Sequence, residues 1–212
     1  MSRSEWFRKT TWSASDEEAF FARLARSRTD FHRAQYLRIQ AVHLFDTGDV
    51  LLVRAALALL ERLLVECPEP SQLALAYLQM ARCHEQLGAC DAAVDAFRRA
   101  LSVGGVDPHF AIEFAWFIVQ HQLHALHDEA LVVLEDANPA FLPIQTFKVA
   151  AVRALIAESR GDHRAAAQHA QHAVEAAALQ ASPFRYHQHL GLVGTQHPEV
   201  VERLLSLSNS RA

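Results

Sequence analysis

The residues of this chain most suited to chemistry are its histidines, of which there are 13. His121, His124 and His127 recur every three residues, as do His169 and His172, and side chains three apart share one face of a helix. Neighbouring imidazoles of this kind can bind zinc. The triplet, however, crosses the predicted end of a helix and its turn, and no carboxylate stands beside it in a metalloprotease arrangement. We therefore expect surface histidines without a bound metal or cofactor, and keep a metal-dependent or histidine-using enzyme as the alternative.

Other residue patterns associated with catalysis are absent from the sequence. There is no GxSxG nucleophile elbow, no GxGxxG or Walker loop for phosphate, and no CxxC pair. The three cysteines, Cys67, Cys83 and Cys90, are odd in number, which argues against a disulfide framework. We expect Cys83 and Cys90 to be small buried side chains, and the three cysteines together to fit a reducing cytoplasm.

The composition argues against two classes of partner. A net charge of −4 gives no electrostatic footprint typical of nucleic-acid binding. The most apolar stretch, residues 50–65, is interrupted by Arg54, Glu61 and Arg62, so no membrane span is predicted. The first twelve residues carry charge without a following apolar run, so no export signal is expected. We therefore expect neither a nucleic acid nor a membrane as the partner.

Alanines recur at nearly fixed intervals along the chain. Ala56, Ala93, Ala130 and Ala166 are separated by 37, 37 and 36 residues, close to the period of about 34 residues of a helix-turn-helix solenoid. The residues four and seven places after these alanines are Leu60 and Leu63, Phe97 and Ala100, Leu134 and Ala137, and Ala170 and Ala173. The spacing predicts an all-α fold in one domain, residues 1–212, because such repeats bury their apolar faces only against neighbouring repeats.

Local signals predict where the helices begin and end. Ser15, with Glu18 three residues later, predicts a capping box and a first helix over residues 16–27. The predicted pairs are 31–47 with 50–66, 71–88 with 90–103, 108–123 with 127–137, and 144–160 with 162–180. A glycine that can end a helix stands at the turn of three pairs, at Gly48, Gly88 and Gly161.

The two ends of the chain are predicted to cover the ends of the repeat array. Residues 1–30 form an N-terminal cap, in which Trp6, Phe7 and Trp12 fold over the first helices. Residues 181–212 contain a loop and an amphipathic helix over 199–207. Terminal elements of this kind shield the apolar face that the last repeat would otherwise expose.

The second helix pair resembles the tetratricopeptide-repeat (TPR) pattern most closely. The residues in register with that pattern are Tyr77, Met80, Ala81, His84, Gly88, Ala93, Phe97 and Ala100. The resemblance covers about residues 31–180. It implies an α-α superhelix, a TPR-like solenoid of about four helix pairs with an N-terminal helix and a C-terminal capping helix. Gln40 and Arg153 depart from the pattern, because they are polar at positions that are normally apolar.

The resemblance also implies a concave groove, lined by the first helix of each pair, that receives a peptide from a partner. The positions carried over are Gln35, Arg38, Ile39, Leu75, Leu78, Gln79, Arg82, Ile112, Trp116, Val119, Lys148, Val152 and Leu155. We expect Trp116 to be an exposed anchor with Arg38, Arg82 and Lys148 around it, a combination suited to an apolar ligand with acidic groups. The alternative is that Trp116 packs into the core.

Residues 182–194 are dense in aromatic and histidine side chains. We favour a plug on the final repeat, and the alternative is a binding loop that uses Arg185, Tyr186, His187 and His189. The sequence as a whole predicts a non-catalytic module that binds a partner protein or peptide through the concave groove. An immunity protein that neutralises a bacterial toxin, or a small adaptor or chaperone, would fit this prediction.

Overall fold

The fold consists of α-helices joined by short connections. The computed structural model describes residues 5–104, 107–135 and 142–209, which contain ten α-helices, two 3-10 helices (Glu5–Phe7 and His124–Leu126) and no strand. The α-helices are α1 (Ala14–Leu24), α2 (Asp30–Phe45), α3 (Val50–Glu66), α4 (Pro70–Gln86), α5 (Cys90–Gly104), α6 (Pro108–Gln120), α7 (His127–Glu135), α8 (Pro143–Ser159), α9 (His163–Ala177) and α10 (Pro198–Asn209). The predicted all-α fold class is therefore confirmed. No helix among these is both long and apolar enough to cross a bilayer.

Consecutive helices pack in pairs, as the alanine spacing predicts. α2 packs against α3, α4 against α5, α6 against α7, and α8 against α9. Ala56, Ala93, Ala130 and Ala166 are all buried. A side chain as small as alanine lets the two helices of a pair approach closely, so the repeated alanines mark the contacts within pairs. Ala137 and the predicted end of its helix lie outside the described residues.

The first helix begins two residues earlier than the sequence predicts. Ser13 is its cap, since Ser13 Oγ accepts a hydrogen bond from the Asp16 main-chain nitrogen at 3.2 Å and Asp16 Oδ2 accepts one from the Ser13 nitrogen at 3.0 Å. The predicted capping box of Ser15 and Glu18 is therefore wrong. Asp16 also binds the side chains of Lys9 and Thr11, and these bonds favour its use as the capping carboxylate.

The chain divides into two compact units, residues 1–105 and 106–212. The single continuous domain expected from the repeats stays a prediction. In the first unit the N-terminal segment covers α1 and α2, as predicted. The Trp6 ring lies 5.3 Å from Phe20 and 5.0 Å from Tyr36, and the Trp12 ring lies 5.3 Å from Phe20.

Gln40, one of the two departures from the repeat pattern, attaches this N-terminal segment to α2. Its side chain is fully buried. Its Oε1 accepts a hydrogen bond from the Lys9 main-chain nitrogen at 3.0 Å, and its Nε2 donates to the Lys9 carbonyl at 2.7 Å. Buried polar groups are normally paired in this way. The polar side chain at this otherwise apolar position therefore has a role in folding.

In the second unit, α10 covers the last helix pair. α10 packs against α9 and, less extensively, against α8. Leu204 of α10 is fully buried, and Arg203 is paired with Glu158 of α8 at 2.7 Å. The predicted C-terminal capping helix is therefore present, and both apolar packing and an ion pair hold it in place.

Candidate functional site

The predicted groove positions of the first unit lie on α2 and α4, which pack against each other. Gln35 and Arg38 on α2 are half-buried. Arg38 Nε donates a hydrogen bond to Gln72 Oε1 on α4 at 2.8 Å, and burial lowers the pKa of the Arg38 guanidinium. Arg38 therefore joins the first helices of two neighbouring pairs, and one of its hydrogen-bond donors is used within the protein.

The groove positions on α4 differ widely in exposure. Leu75 is exposed and Arg82 is half-buried, whereas Leu78 and Gln79 are buried. Nε2 of Gln79 has no hydrogen-bond partner among the described residues. Leu78 and Gln79 thus do not present their side chains at the surface, as residues lining an open groove would. A binding role for Gln35, Arg38 and Arg82 stays a prediction.

Trp116 on α6 is buried, which corrects the expectation of an exposed anchor. Its side chain is only 4% exposed. The indole lies 5.8 Å from the Phe147 ring on α8 and 4.9 Å from the ring of His197, which precedes α10. The alternative interpretation, in which Trp116 packs into the core, is confirmed. Aromatic rings from two segments distant in sequence cover the face that the repeat pattern assigned to the groove.

The Lys148 side chain likewise makes its contacts within the second unit. Its Nζ lies 2.6 Å from Glu113 Oε1, and the two side chains are 12% and 16% exposed. The same nitrogen lies 5.7 Å from the centre of the Trp116 ring. Because this ion pair joins α8 to α6, Lys148 is a structural residue, and its predicted place beside an exposed tryptophan is wrong.

The histidine triplet does not converge on one point. The His121 ring packs on Phe117 at 4.4 Å, whereas the rings of His124 and His127 meet edge to face at 4.9 Å. Within the described ranges, no group of three or more His, Cys, Asp or Glu side chains is arranged to hold a metal ion. The three imidazoles thus take part in two separate ring contacts.

Ser159 and His127 form a hydroxyl–imidazole pair, with Ser159 Oγ 3.2 Å from His127 Nδ1. The hydroxyl also donates to the Ile156 carbonyl at 2.8 Å. Since a hydroxyl has a single hydrogen, His127 Nδ1 is the donor in the pair. A nucleophilic serine needs the opposite arrangement, and Asp128, the neighbouring acid, is paired with Arg160 at 2.6 Å. The pair therefore joins α7 to α8 without activating a nucleophile.

The three cysteines differ in their burial. Cys67 and Cys83 are buried, and Cys90 is half-buried. Burial raises the pKa of the Cys83 thiol to about 12 and also raises that of Cys67. Because the thiolate is the reactive form, these two thiols are unreactive near neutral pH.

Acid is expected to weaken the second unit before the first. Burial lowers the pKa values of His127, His169 and His197, all in the second unit. As the pH falls below about 6.5, the unfolded chain binds protons that these folded imidazoles do not, so the unit loses stability. In the first unit, the bond from Lys9 holds the pKa of Asp16 well below its ordinary value of 3.8, so the corresponding loss begins only below that value.

Hydrogen exchange between about pH 7 and pH 4, corrected for the intrinsic pH dependence of exchange, measures this order. Amides of the second unit are expected to lose protection at a higher pH than those of the first. Simultaneous loss in both units, or earlier loss in the first, would contradict the assignment of these imidazoles as buried and neutral.

Residues 182–194 are anchored to the second unit at the end that contains Gly191 and Val193. The Ser182 main-chain nitrogen donates to the Gln188 carbonyl at 2.7 Å, which closes the loop on itself. The Ile144 nitrogen donates to the Gly191 carbonyl at 2.7 Å, so the loop satisfies a donor in the first turn of α8. Val193 is fully buried. The plug interpretation is therefore correct for the end of the loop at Gly191 and Val193.

The middle of this loop, residues 184–190, is exposed, and we call it the loop tip. Tyr186 is 82% exposed, and the Arg185 guanidinium lies 5.4 Å from its ring. His187 and His189 are exposed as well. The plug interpretation therefore does not apply to the Arg185, Tyr186, His187 and His189 side chains, which are exposed to solvent.

A cleft of about 400 Å³ opens among α7, α8 and α9. Its lining consists of Leu131, Glu135, Arg153, Ile156, Ala157, Arg160, Asp162 and His169. Sequence reasoning missed this cleft, although it singled out Arg153 as a departure from the repeat pattern. The one signal in the sequence that could have indicated the cleft is this polar residue at a position that normally packs against a neighbouring helix.

Comparisons with known protein families, with curated proteins and with solved structures find no match to this chain. The resemblance to TPR proteins therefore rests on residue spacing and helix pairing alone. The geometry of the chain itself therefore defines two candidate sites. One is the loop tip with Arg185 and Tyr186, and the other is the cleft around Arg153.

Proposed function

We propose that this chain is a non-catalytic protein-interaction module whose partner docks on the loop tip of the second unit. Binding alone completes such a function, as in an immunity protein that neutralises a bacterial toxin, or in a small adaptor or chaperone. The proposed compartment is the cytoplasm, because three free thiols suit a reducing environment.

The exposure of Tyr186 on an anchored loop is the observation that carries this proposal. An aromatic ring that is 82% exposed buries little apolar area within its own chain. Tyrosine and arginine are among the residue types that supply most of the binding energy at interfaces. Anchoring at Gly191 and Val193 reduces the entropy that the loop tip loses when a partner binds.

The charge of this segment favours an acidic partner surface. No acidic residue occurs between Glu175 and Glu199, whereas Arg185, His187 and His189 all lie in the loop tip. Complementary charge increases the rate of association and disfavours basic partners. We therefore propose a partner that offers an apolar pocket for Tyr186 with carboxylates around it.

A histidine-using enzyme is the other function that the sequence raises. Its best-placed pair is Ser159 with His127, and the hydroxyl of that pair also lies 2.8 Å from the Ile156 carbonyl, which can only accept a hydrogen bond. Catalysis by this pair would require the hydroxyl to donate to the imidazole instead. This geometry supports the proposal of binding over the proposal of catalysis.

Calorimetry with a purified partner, captured on the immobilised chain from a lysate of the source cells, tests the proposal. Tyr186→Ala is expected to weaken binding by about 2 kcal/mol or more, roughly thirtyfold in Kd. The melting temperature should not change, since an exposed side chain contributes little to folding. Arg82→Glu on α4 is the matched test of the predicted groove and should leave the affinity near that of wild type. If Tyr186→Ala bound the partner with full affinity and Arg82→Glu did not, the partner would dock in the groove and not on the loop tip.

A further inference from the structure

The cleft among α7, α8 and α9 contains a charged side chain, Arg153, that has no hydrogen-bond or ion-pair partner among the described residues. Arg153 is half-buried at a position where the repeat pattern has an apolar side chain. Gln40, the other departure from the pattern, is bonded through both atoms of its amide to Lys9. Arg153 makes no hydrogen bond or ion pair with any other described residue. Partial burial of a guanidinium costs solvation free energy, and no contact with another described residue offsets that cost.

The neighbouring polar groups leave Arg153 available to a ligand. Arg160, the second arginine of the cleft, is paired with Asp128 at 2.6 Å. Asp162 accepts a hydrogen bond at the start of α9, where it caps the helix. Burial first, and the charge of Arg153 second, lower the pKa of His169. His169 is therefore neutral near neutral pH and can donate a hydrogen bond without adding charge.

The rest of the lining defines the class of ligand. Leu131, Ile156 and Ala157 provide apolar surface. Glu135 and Asp162 provide negative charge that repels a polyanion such as a phosphate ester about twice as strongly as a single carboxylate, whose charge the Arg153 guanidinium can balance. A guanidinium binds a carboxylate through two parallel hydrogen bonds. The cleft volume of about 400 Å³ lies within the range of about 300–1,000 Å³ typical of small-ligand sites. A single negative charge attached to an apolar group matches this lining.

We propose that this cleft binds a carboxylate attached to an aliphatic group. Arg153 holds the carboxylate, His169 donates a hydrogen bond to it, and Leu131 and Ile156 contact the aliphatic group. The same chemistry occurs in a free N-acylated aliphatic amino acid and at the C terminus of a peptide that ends in such a residue. The cleft and the loop tip are separate sites, so this proposal does not depend on the proposed function.

NMR titration of the full chain with acetyl-leucine, observed at the His169 ring, tests the proposal. Acetyl-leucine is expected to shift the ring signals and to raise the pKa of His169, because a bound carboxylate offsets the charge of Arg153. Acetyl-leucinamide, which lacks only the carboxylate, should do neither. Equal shifts from both probes, or none from either, would overturn the proposal. A hexapeptide ending in leucine that binds more tightly than acetyl-leucine would identify a chain terminus as the source, and weaker or equal binding would identify the free acid.

Two variants assign the effect to Arg153. Arg153→Gln is expected to weaken acetyl-leucine binding about tenfold or more and to abolish the ligand-induced rise in the His169 pKa. Arg164→Gln removes the same charge from an exposed position of α9 outside the cleft and should bind like wild type. Equal weakening in the two variants would show unspecific attraction and refute the site. If Arg153→Gln does not fold, Arg153→Lys should still bind more weakly than wild type, because lysine lacks the two-pronged donor, and unchanged affinity would refute the site too.

Discussion

Trp116→Ala is expected to lower the free energy of unfolding of the second unit by about 3–5 kcal/mol. The indole is 4% exposed and lies against Phe147 and His197. Truncation to alanine removes this buried apolar area and leaves a cavity between α6, α8 and the segment that precedes α10. Denaturation by urea, followed by circular dichroism, measures the effect.

Tyr186→Ala is the matched control for Trp116→Ala, because it removes an aromatic ring that is 82% exposed in the same unit. We expect it to change the free energy of unfolding by less than about 0.5 kcal/mol. If Trp116→Ala were as mild as this control, Trp116 would lie at the surface, and the groove predicted from the repeat pattern would be restored.

Gly191→Ala is expected to destabilise the anchored end of the 182–194 loop by about 2–4 kcal/mol. Gly191 has a φ of 70°, and an added Cβ would lie 2.8 Å from the Cβ of Leu142 and 2.9 Å from both of its methyl carbons. The substitution therefore combines backbone strain with a steric clash. Thermal denaturation and limited proteolysis of the loop measure the loss.

Gly194→Ala isolates the steric part of this effect. Gly194 also has a positive φ, 55°, but no atom of the described residues, apart from its two chain neighbours, lies within 4 Å of an added Cβ. Only backbone strain of about 1 kcal/mol is therefore expected. Equal destabilisation by the two substitutions would show that the contact between Gly191 and Leu142 does not anchor the loop.

The helix pairs could be predicted from the sequence because their signals are local and periodic. Ala56, Ala93, Ala130 and Ala166 mark the contacts within pairs, and all four are buried as the spacing predicts. The start of α1 shows the limit of local signals. Two serines, Ser13 and Ser15, each precede an acid by three residues. The bonds from Lys9 and Thr11 to Asp16 favour Ser13 as the cap.

The exposure of the candidate site residues could not be predicted, because it depends on contacts between distant segments. Trp116 occupies a groove position in the repeat pattern, but Phe147 and His197 cover it from 31 and 81 residues further along the chain. The position of the loop that carries Tyr186 likewise involves a contact between distant segments, because Gly191 lies against Leu142. Residue spacing in the sequence predicts neither of these two contacts.

The two polar departures from the repeat pattern were visible in the sequence, but their roles were not. Gln40 and Arg153 look alike as polar residues at apolar positions. Gln40 is satisfied by the main chain of Lys9, 31 residues away, whereas Arg153 faces a cleft without a partner among the described residues. A departure from a repeat pattern therefore indicates a special position, and the three-dimensional contacts decide whether it serves folding or binding.

Hydrogen exchange of the chain with and without its captured partner is the most direct test of the proposed binding surface. We expect the partner to slow exchange in the loop tip, residues 184–190, and to leave the α2 and α4 amides near Arg38 and Arg82 at their unbound rates. Protection confined to α2 and α4, with the loop tip exchanging as in the free protein, would contradict the account.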